Sequence, residues 1–117
     1  MEYRQLGTTD MSISAVSFGT WALGRRLGHV SKESALTALN HAIDCGVNFF
    51  DTADVYGNGR SEALIGEVLK ERSERVYVAT KFGRRDDFTN PENYTYDKVR
   101  SYCEDSLRNL QMEALDL

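Results

Sequence analysis

Three side chains that could exchange a proton follow two neighbouring strand candidates of this 117-residue chain. Asp51 and Tyr56 come after the apolar run 47–50, and Lys81 comes directly after the run 75–80. The carboxyl ends of parallel strands meet at one edge of a sheet, where functional groups gather. We therefore expect an acid, a phenol and an amine to converge on one face.

This combination of groups suits proton transfer. Free tyrosine has a pKa of about 10 and lysine one of about 10.4, so neither is an obvious acid–base catalyst at neutral pH. A lysine ammonium lowers the pKa of a neighbouring phenol because the positive charge favours phenolate. An aspartate paired with Lys81 would hold that ammonium in place. Tyr56 could then protonate a carbonyl oxygen as hydride arrives.

Each residue also has a purely structural interpretation. An aspartate after a strand often caps a turn, a lysine there is often a solvated charge, and a loop tyrosine often packs. Asp54 could play the part of Asp51, and spacing alone does not choose between them. The segment 57–62 begins like the dinucleotide-binding G-x-G-x-x-G, but Glu62 stands where the third glycine belongs. Its glycines are better interpreted as a tight turn into a helix.

The strands that must position these residues are short. Residues 3–6 and 11–16 alternate around a polar turn and predict a β-hairpin, with Tyr3, Leu6, Met11 and Ile13 as anchors. Further strands are predicted over 16–19, 47–50 and 75–80. Residues 114–117 resemble the opening of another strand.

Helical periodicity separates the strands. Apolar residues at three- and four-residue spacing predict helices that begin near Ser31, Ser61 and Thr95. Ser31 and Ser61 are predicted N-caps, and Gly46 stands where a C-terminal glycine belongs. Strand–helix units of about 30 residues or more build parallel sheets with right-handed crossovers. The predicted fold class is α/β, a hairpin followed by repeated βα units.

Composition restricts the possible partners and location. The net charge is −4, and the basic pairs at 25–26 and 84–85 are too short to track a phosphate backbone, which argues against nucleic acid. No apolar run approaches about 20 residues, and the N-terminus lacks signal-peptide features, so we expect a cytoplasmic protein without membrane contact. Cys45 and Cys103 are expected to be buried thiols, with no metal site.

The motifs around these residues resemble the aldo-keto reductase family. They are Ser-Phe-Gly-Thr-Trp at 17–21, Asn-Phe-Phe-Asp-Thr-Ala-Asp-Val-Tyr-Gly at 48–57, Gly-Arg-Ser-Glu at 59–62 and Ala-Thr-Lys-Phe-Gly at 79–83. The resemblance covers essentially all 117 residues, and its Asp-Thr-Ala-x-x-Tyr-Gly motif is specific.

The resemblance implies a parallel (β/α)8 barrel of the TIM type. Residues 1–117 would be the N-terminal part of that single domain, ending within its fourth barrel strand, with the hairpin and about three and a half of eight βα units. It also implies reduction of a small aldehyde or ketone by NADPH. Asp51, Tyr56 and Lys81 would be three members of a catalytic tetrad, with Tyr56 as proton donor. Gly19, Thr20, Trp21 and Asp51 would lie near the nicotinamide.

Two departures from the family pattern lead to further expectations. The fourth tetrad member, usually a histidine, follows the strand that begins at Ala114, and neither His29 nor His41 fits that place. Most cofactor contacts come from later strands. We therefore expect this chain alone to be inactive and to bind cofactor weakly or not at all. A non-catalytic binding or regulatory barrel, like the family's channel-associated subunits, and a half-barrel that self-associates through exposed sheet edges are the alternatives.

Overall fold

A computed structural model describes residues 1–24 and 30–117, and its elements follow the predicted order. The strands in these ranges are β1 (Tyr3–Gln5), β2 (Ser12–Ser14), β3 (Phe18–Gly19), β4 (Phe49–Asp51) and β5 (Tyr77–Ala79). The α-helices are α1 (Lys32–Asp44), α2 (Arg60–Lys70) and α3 (Tyr96–Leu110). In the same ranges, a 3₁₀ turn at Trp21–Gly24 follows β3, and another at Pro91–Tyr94 precedes α3. His29 and the basic pair at 25–26 lie outside the described residues.

The predicted hairpin forms and is bound to the beginning of β4. β1 and β2 pair antiparallel, with Tyr3 opposite Ser14. The Ser14 amide donates to Asn48 Oδ1 at 2.6 Å, and the Asn48 amide donates to Ser14 Oγ at 3.1 Å. Tyr3 is half exposed, so it anchors the hairpin through its hydroxyl, which donates to the Gly46 carbonyl at 2.9 Å, rather than by burial.

β3, β4 and β5 form a parallel sheet in chain order. One row across it contains Phe18, Phe50 and Val78. Phe50 and Val78 are fully buried in the core that the helices share. Side chains alternate between the faces of a sheet, so the next row, which contains Asp51, projects from the opposite face at the carboxyl end. This arrangement confirms the predicted α/β class with repeated βα units.

Both ends of α1 confirm the sequence prediction of an N-cap at Ser31 and a glycine after the C-terminus. Ser31 is the N-cap, and its hydroxyl accepts a hydrogen bond from the Ser34 amide at 3.0 Å. Gly46 follows the helix with a φ of 87°, a conformation that glycine adopts without strain.

The start of α2 differs from the prediction. Ser61 is not its N-cap: the N-cap is Gly59, with a φ of 84°, and Ser61 lies inside the first turn, fully buried. Its hydroxyl points inward to other hydroxyl groups instead of to the helix's own backbone. The glycines at 57 and 59 do form the predicted turn into the helix.

The prediction that both cysteines are buried is wrong. Cys45 and Cys103 are exposed. The buried stripe of α3 runs through Tyr102, Ser106 and Leu110, so Cys103, one position beyond Tyr102, is turned away from it. Cys45 is the C-cap residue of α1.

Residues 114–117 do not form a regular strand, although they lie beside β5. The Asp116 carboxylate accepts a hydrogen bond from the Val78 amide at 2.9 Å, and the Leu117 carbonyl accepts one from the Thr80 amide at 3.0 Å. The Asp116 side chain thus accepts a hydrogen bond that, in a regular sheet, a backbone carbonyl of the adjacent strand would accept. β3 and β5 are the outer strands of the sheet, and self-association through them stays a prediction. Over the residues described, no helix has the length and apolar character needed to cross a membrane.

Candidate active site

The acid, the phenol and the amine predicted to converge do lie together. Lys81 Nζ donates to Asp51 Oδ1 at 2.7 Å and to the Thr52 carbonyl at 2.8 Å. The same nitrogen lies 5.5 Å from the centroid of the Tyr56 ring. The Asp51 and Lys81 side chains are 41% and 49% exposed, so this ion pair is open to solvent.

The parallel register explains this convergence. Asp51 is the last residue of β4 and pairs with Ala79, the last residue of β5. Lys81 follows two residues later, and the alternation of side chains returns it to the face from which Asp51 projects. Tyr56 arrives through a turn between β4 and α2, in which its amide donates to the Ala53 carbonyl at 3.1 Å.

Asp54 occupies a different environment from Asp51. It is 1% exposed and accepts a hydrogen bond from Arg85 Nε at 3.0 Å, while Arg85 Nη1 donates to Asp105 of α3 at 2.6 Å. Burial raises the pKa of Asp54, against the opposing effect of the Arg85 hydrogen bond. Asp51 is thus the aspartate that meets Lys81, and Asp54 joins the Tyr56 turn to α3.

Three buried hydroxyl groups fix the backbone of Asp51. Thr52 Oγ1 donates to Ser61 Oγ at 3.1 Å, and Ser61 Oγ donates to Thr20 Oγ1 at 2.8 Å. Both the hydroxyl and the amide of Thr20 donate to the Asp51 carbonyl, each at 2.9 Å. All three side chains are fully buried. The network joins the ends of β3 and β4 to the first turn of α2 and leaves Thr20 away from solvent.

A second buried connection is made by Glu62, the residue that interrupts the glycine pattern of residues 57–62. It is fully buried, and its carboxylate accepts hydrogen bonds from Thr80 Oγ1 at 2.7 Å and Asn109 Nδ2 at 2.9 Å. Neither Glu62 nor Arg85 could be assigned these partners from local spacing, because each partner lies far along the chain. Both residues hold the segments that carry Asp51 and Lys81.

The turn that carries Tyr56 packs against the 3₁₀ turn after β3. A Cβ atom at Gly24 would lie 2.7 Å from the Gly57 amide nitrogen and 2.8 Å from the Tyr56 carbonyl carbon. Gly57 itself has a φ of 64°. This close backbone approach brings Trp21, at the start of the 3₁₀ turn, to the same side as Tyr56.

A cleft of about 620 Å³ opens at this place. Its lining includes Trp21, Tyr56, Lys81, Phe82, Arg84 and Phe88. Of the other predicted site residues, Asp51 reaches the cleft through its contact with Lys81, and Gly19 is exposed at the end of β3. Three of the predicted residues, Trp21, Tyr56 and Lys81, therefore line one opening at the carboxyl ends of the strands, whereas Thr20 is buried behind it.

The histidine within the described residues lies elsewhere. His41 is exposed on α1, and its Nε2 is 3.6 Å from Cys45 Sγ. In the described part of the chain, no three His, Cys, Asp or Glu side chains are grouped so that they could hold a metal ion.

Known proteins resemble this chain in both sequence and structure. A profile of the aldo/keto reductase family matches residues 15–117. The uncharacterized oxidoreductase YqkF of Bacillus subtilis is 36% identical over 121 aligned residues, which cover 100% of this chain and 38% of that protein.

Two solved structures extend the likeness to the fold. The aldo-keto reductase AKR11C1 from Bacillus halodurans, in its holo form, aligns with a TM-score of 0.82 and 30% identity over 98% of this chain and 38% of its own. An aldo-keto reductase from Klebsiella pneumoniae in complex with NADPH aligns with a TM-score of 0.71 and 29% identity, over 90% of this chain and 34% of its own. The chain thus spans well under half the length of these relatives. It matches part of their TIM barrel, and it belongs to the aldo/keto reductase family.

Proposed function

We propose that this chain carries the proton-donating part of an NADPH-dependent carbonyl reductase, which converts a small aldehyde or ketone to an alcohol. Residues 1–117 would form the N-terminal part of a (β/α)8 barrel. The observation that carries the proposal is the position of the Lys81 ammonium, 2.7 Å from the Asp51 carboxylate and 5.5 Å from the Tyr56 ring centroid.

Tyr56 is the proposed proton donor. As its phenol hydrogen moves to a carbonyl oxygen, negative charge develops on the tyrosine oxygen, and the Lys81 ammonium stabilises that charge. Asp51 and the Thr52 carbonyl hold the ammonium by two hydrogen bonds, so Lys81 is oriented before the proton moves. Asp51 thus acts on Tyr56 through Lys81.

The residues proposed to lie near the nicotinamide would contribute to its binding in different ways. A Cβ atom at Gly19 would meet nothing within 4 Å, so the backbone at the end of β3 is open to a close ligand. Trp21 offers a ring that is 44% exposed, and Asp51 offers a partly exposed carboxylate. Thr20 would act only indirectly, by fixing the backbone of Asp51, since its hydroxyl and its amide both donate to the Asp51 carbonyl. When bound, NADPH would supply the hydride, and the NADPH complex of the Klebsiella pneumoniae relative supports this choice.

The test uses the whole barrel. Residues 1–117 replace the corresponding part of the Bacillus subtilis relative, which aligns over the full chain, and NADPH oxidation is followed with an aldehyde substrate. Tyr56→Phe should lower kcat by about 100-fold or more without changing the Kd for NADPH, because the ring stays and only the proton-donating hydroxyl is lost. The control is Tyr96→Phe, at a tyrosine that is 78% exposed on α3.

Near-normal turnover by Tyr56→Phe would overturn the assignment of the proton donor. Lys81→Met should also lower kcat, since the developing charge on Tyr56 loses its partner. The 117-residue chain assayed alone should show no aldehyde-dependent NADPH oxidation.

A further inference from the structure

The cleft carries positive charge in a chain whose net charge is −4. Within the described residues, its charged lining consists of Lys81, Arg84 and Asp54. Asp54 is 1% exposed and paired with Arg85, and Lys81 is paired with Asp51. Arg84 is therefore the charged residue of this lining that has no ion-pair partner within 4.0 Å among the described residues.

Arg84 is set apart from the other arginines that the structure describes. Six of them have a carboxylate within 4.0 Å: Arg4, Arg72, Arg75, Arg85, Arg100 and Arg108. Arg60 donates instead to the backbone carbonyls of Leu23 and Val30. Across residues 1–24 and 30–117, Arg84 has neither kind of partner, and its guanidinium carbon lies 5.8 Å from the centroid of the Phe88 ring. An aromatic face at this distance supports a guanidinium and leaves its N–H groups available.

We propose that Arg84 binds an anionic group of the carbonyl substrate, so that the preferred substrates are aldehydes or ketones whose apolar skeleton carries a carboxylate. A guanidinium can donate two parallel hydrogen bonds to a carboxylate. Trp21, Phe82 and Phe88, exposed by 44%, 48% and 60%, give the same cleft an aromatic lining for the skeleton. That the ligand is a carbonyl compound rests on the proposed function, whereas the preference for an anion rests on Arg84.

The sequence provides a probe inside the cleft. Trp21 is the single tryptophan of the chain and lines the cleft. Its indole N–H therefore gives one NMR resonance, whose shift reports ligand binding in the cleft. The 117-residue chain is titrated with 4-formylbenzoate and with its neutral methyl ester, in the absence of cofactor. These two ligands share the ring and the aldehyde and differ in the charge of one group. We expect the anion to bind about tenfold more tightly, the size of one charge-assisted contact.

Variants of Arg84 test whether this residue causes the difference in affinity between the anion and the ester. Arg84→Gln should abolish the preference for the anion, and Arg84→Lys should retain part of it. Arg100→Gln, at an arginine paired with Glu104 on α3, is the matched control and should leave the preference unchanged. Circular dichroism spectra identical to the parent chain would establish that each variant is folded.

The proposal is overturned if the ester binds as tightly as the anion, if Arg84→Gln keeps the preference, or if neither ligand moves the Trp21 signal at millimolar concentration. A parallel NADPH titration, made on the whole barrel built to test the proposed function and followed by cofactor fluorescence, separates two sources of negative charge. Loss of NADPH binding in Arg84→Gln, with formylbenzoate binding unchanged, would assign Arg84 to cofactor phosphate and overturn the proposal. Because no turnover is measured, these outcomes are independent of whether the barrel reduces carbonyls.

Discussion

The backbone of Gly24 lies against that of Gly57 so closely that a Cβ atom on either residue would come within 3.0 Å of the other's backbone. This contact holds the turn that carries Tyr56 against the turn that begins at Trp21. A side chain at either position must push the two turns apart. The cleft between Trp21 and Tyr56 therefore depends on two glycines that line it with backbone only.

Gly24→Ala should destabilise the chain and displace the Tyr56 turn. We expect a loss of about 1–3 kcal/mol in the free energy of unfolding, typical of overpacking, together with a shift of the Trp21 fluorescence maximum. Urea unfolding measures the first effect. Gly19→Ala is the control, because a Cβ atom there meets nothing within 4 Å. Equal stability of the two variants would contradict the close packing.

Ser61→Ala should weaken the link between α2 and the ends of β3 and β4. The Ser61 hydroxyl accepts from Thr52 and donates to Thr20, so its removal leaves a buried Thr52 hydroxyl without its acceptor. The expected cost is about 1–3 kcal/mol of unfolding free energy. Ser101→Ala, at an exposed position of α3, should change stability by less than about 0.5 kcal/mol. A Ser61 variant as stable as the Ser101 variant would argue against the hydroxyl network.

Asp54 should make stability fall as pH rises. Burial raises the pKa of Asp54 above its ordinary value, so the folded chain binds this proton more tightly than the unfolded chain does. The contribution is fully present below the unfolded value of about 3.9 and is lost as pH rises through the folded-state pKa. Urea unfolding of the parent chain and of Asp54→Asn from pH 4 to 7 should give a stability difference that declines with pH. A difference that grows with pH would mean that attraction to Arg85 outweighs burial.

Both thiols should react in the folded chain. Cys45 and Cys103 are exposed, so Ellman's reagent should titrate two thiols before urea is added and no more afterwards. Cys45→Ser and Cys103→Ser should each lower the native value by one. Thiols that react only after unfolding would instead agree with the burial expected from the helical pattern.

The features that the sequence predicted correctly depend on near neighbours. Ser31 caps α1 through a residue three positions away, and Gly46 ends the same helix by its own conformation. The convergence of Asp51 and Lys81 also followed from local signals, because two short strands in parallel register place their ends together. In these cases the partner lies within a few positions or in the adjacent strand, so the local pattern was sufficient.

The features that were missed depend on distant partners. Ser61 has the residue type of an N-cap, yet its hydroxyl bonds to Thr20, 41 residues away. Asp54 and Asp51 could not be distinguished by spacing, because the difference between them is Arg85, which lies 31 residues beyond Asp54. Cys103 was expected on the buried side of α3 but is exposed. An apolar residue type alone does not show which side of the helix faces the core.

The hairpin lies at the opposite end of the sheet from the cleft. Its hydrogen bonds to Asn48 and Gly46 precede β4, whereas Asp51 and Lys81 follow the strands. Met1 also lies at this end, because a Cβ atom at Gly46 would meet the Met1 side chain at 3.0 Å. A tether attached at the amino terminus would therefore immobilise the chain on a sensor surface with the cleft directed outward, accessible to ligands in flow.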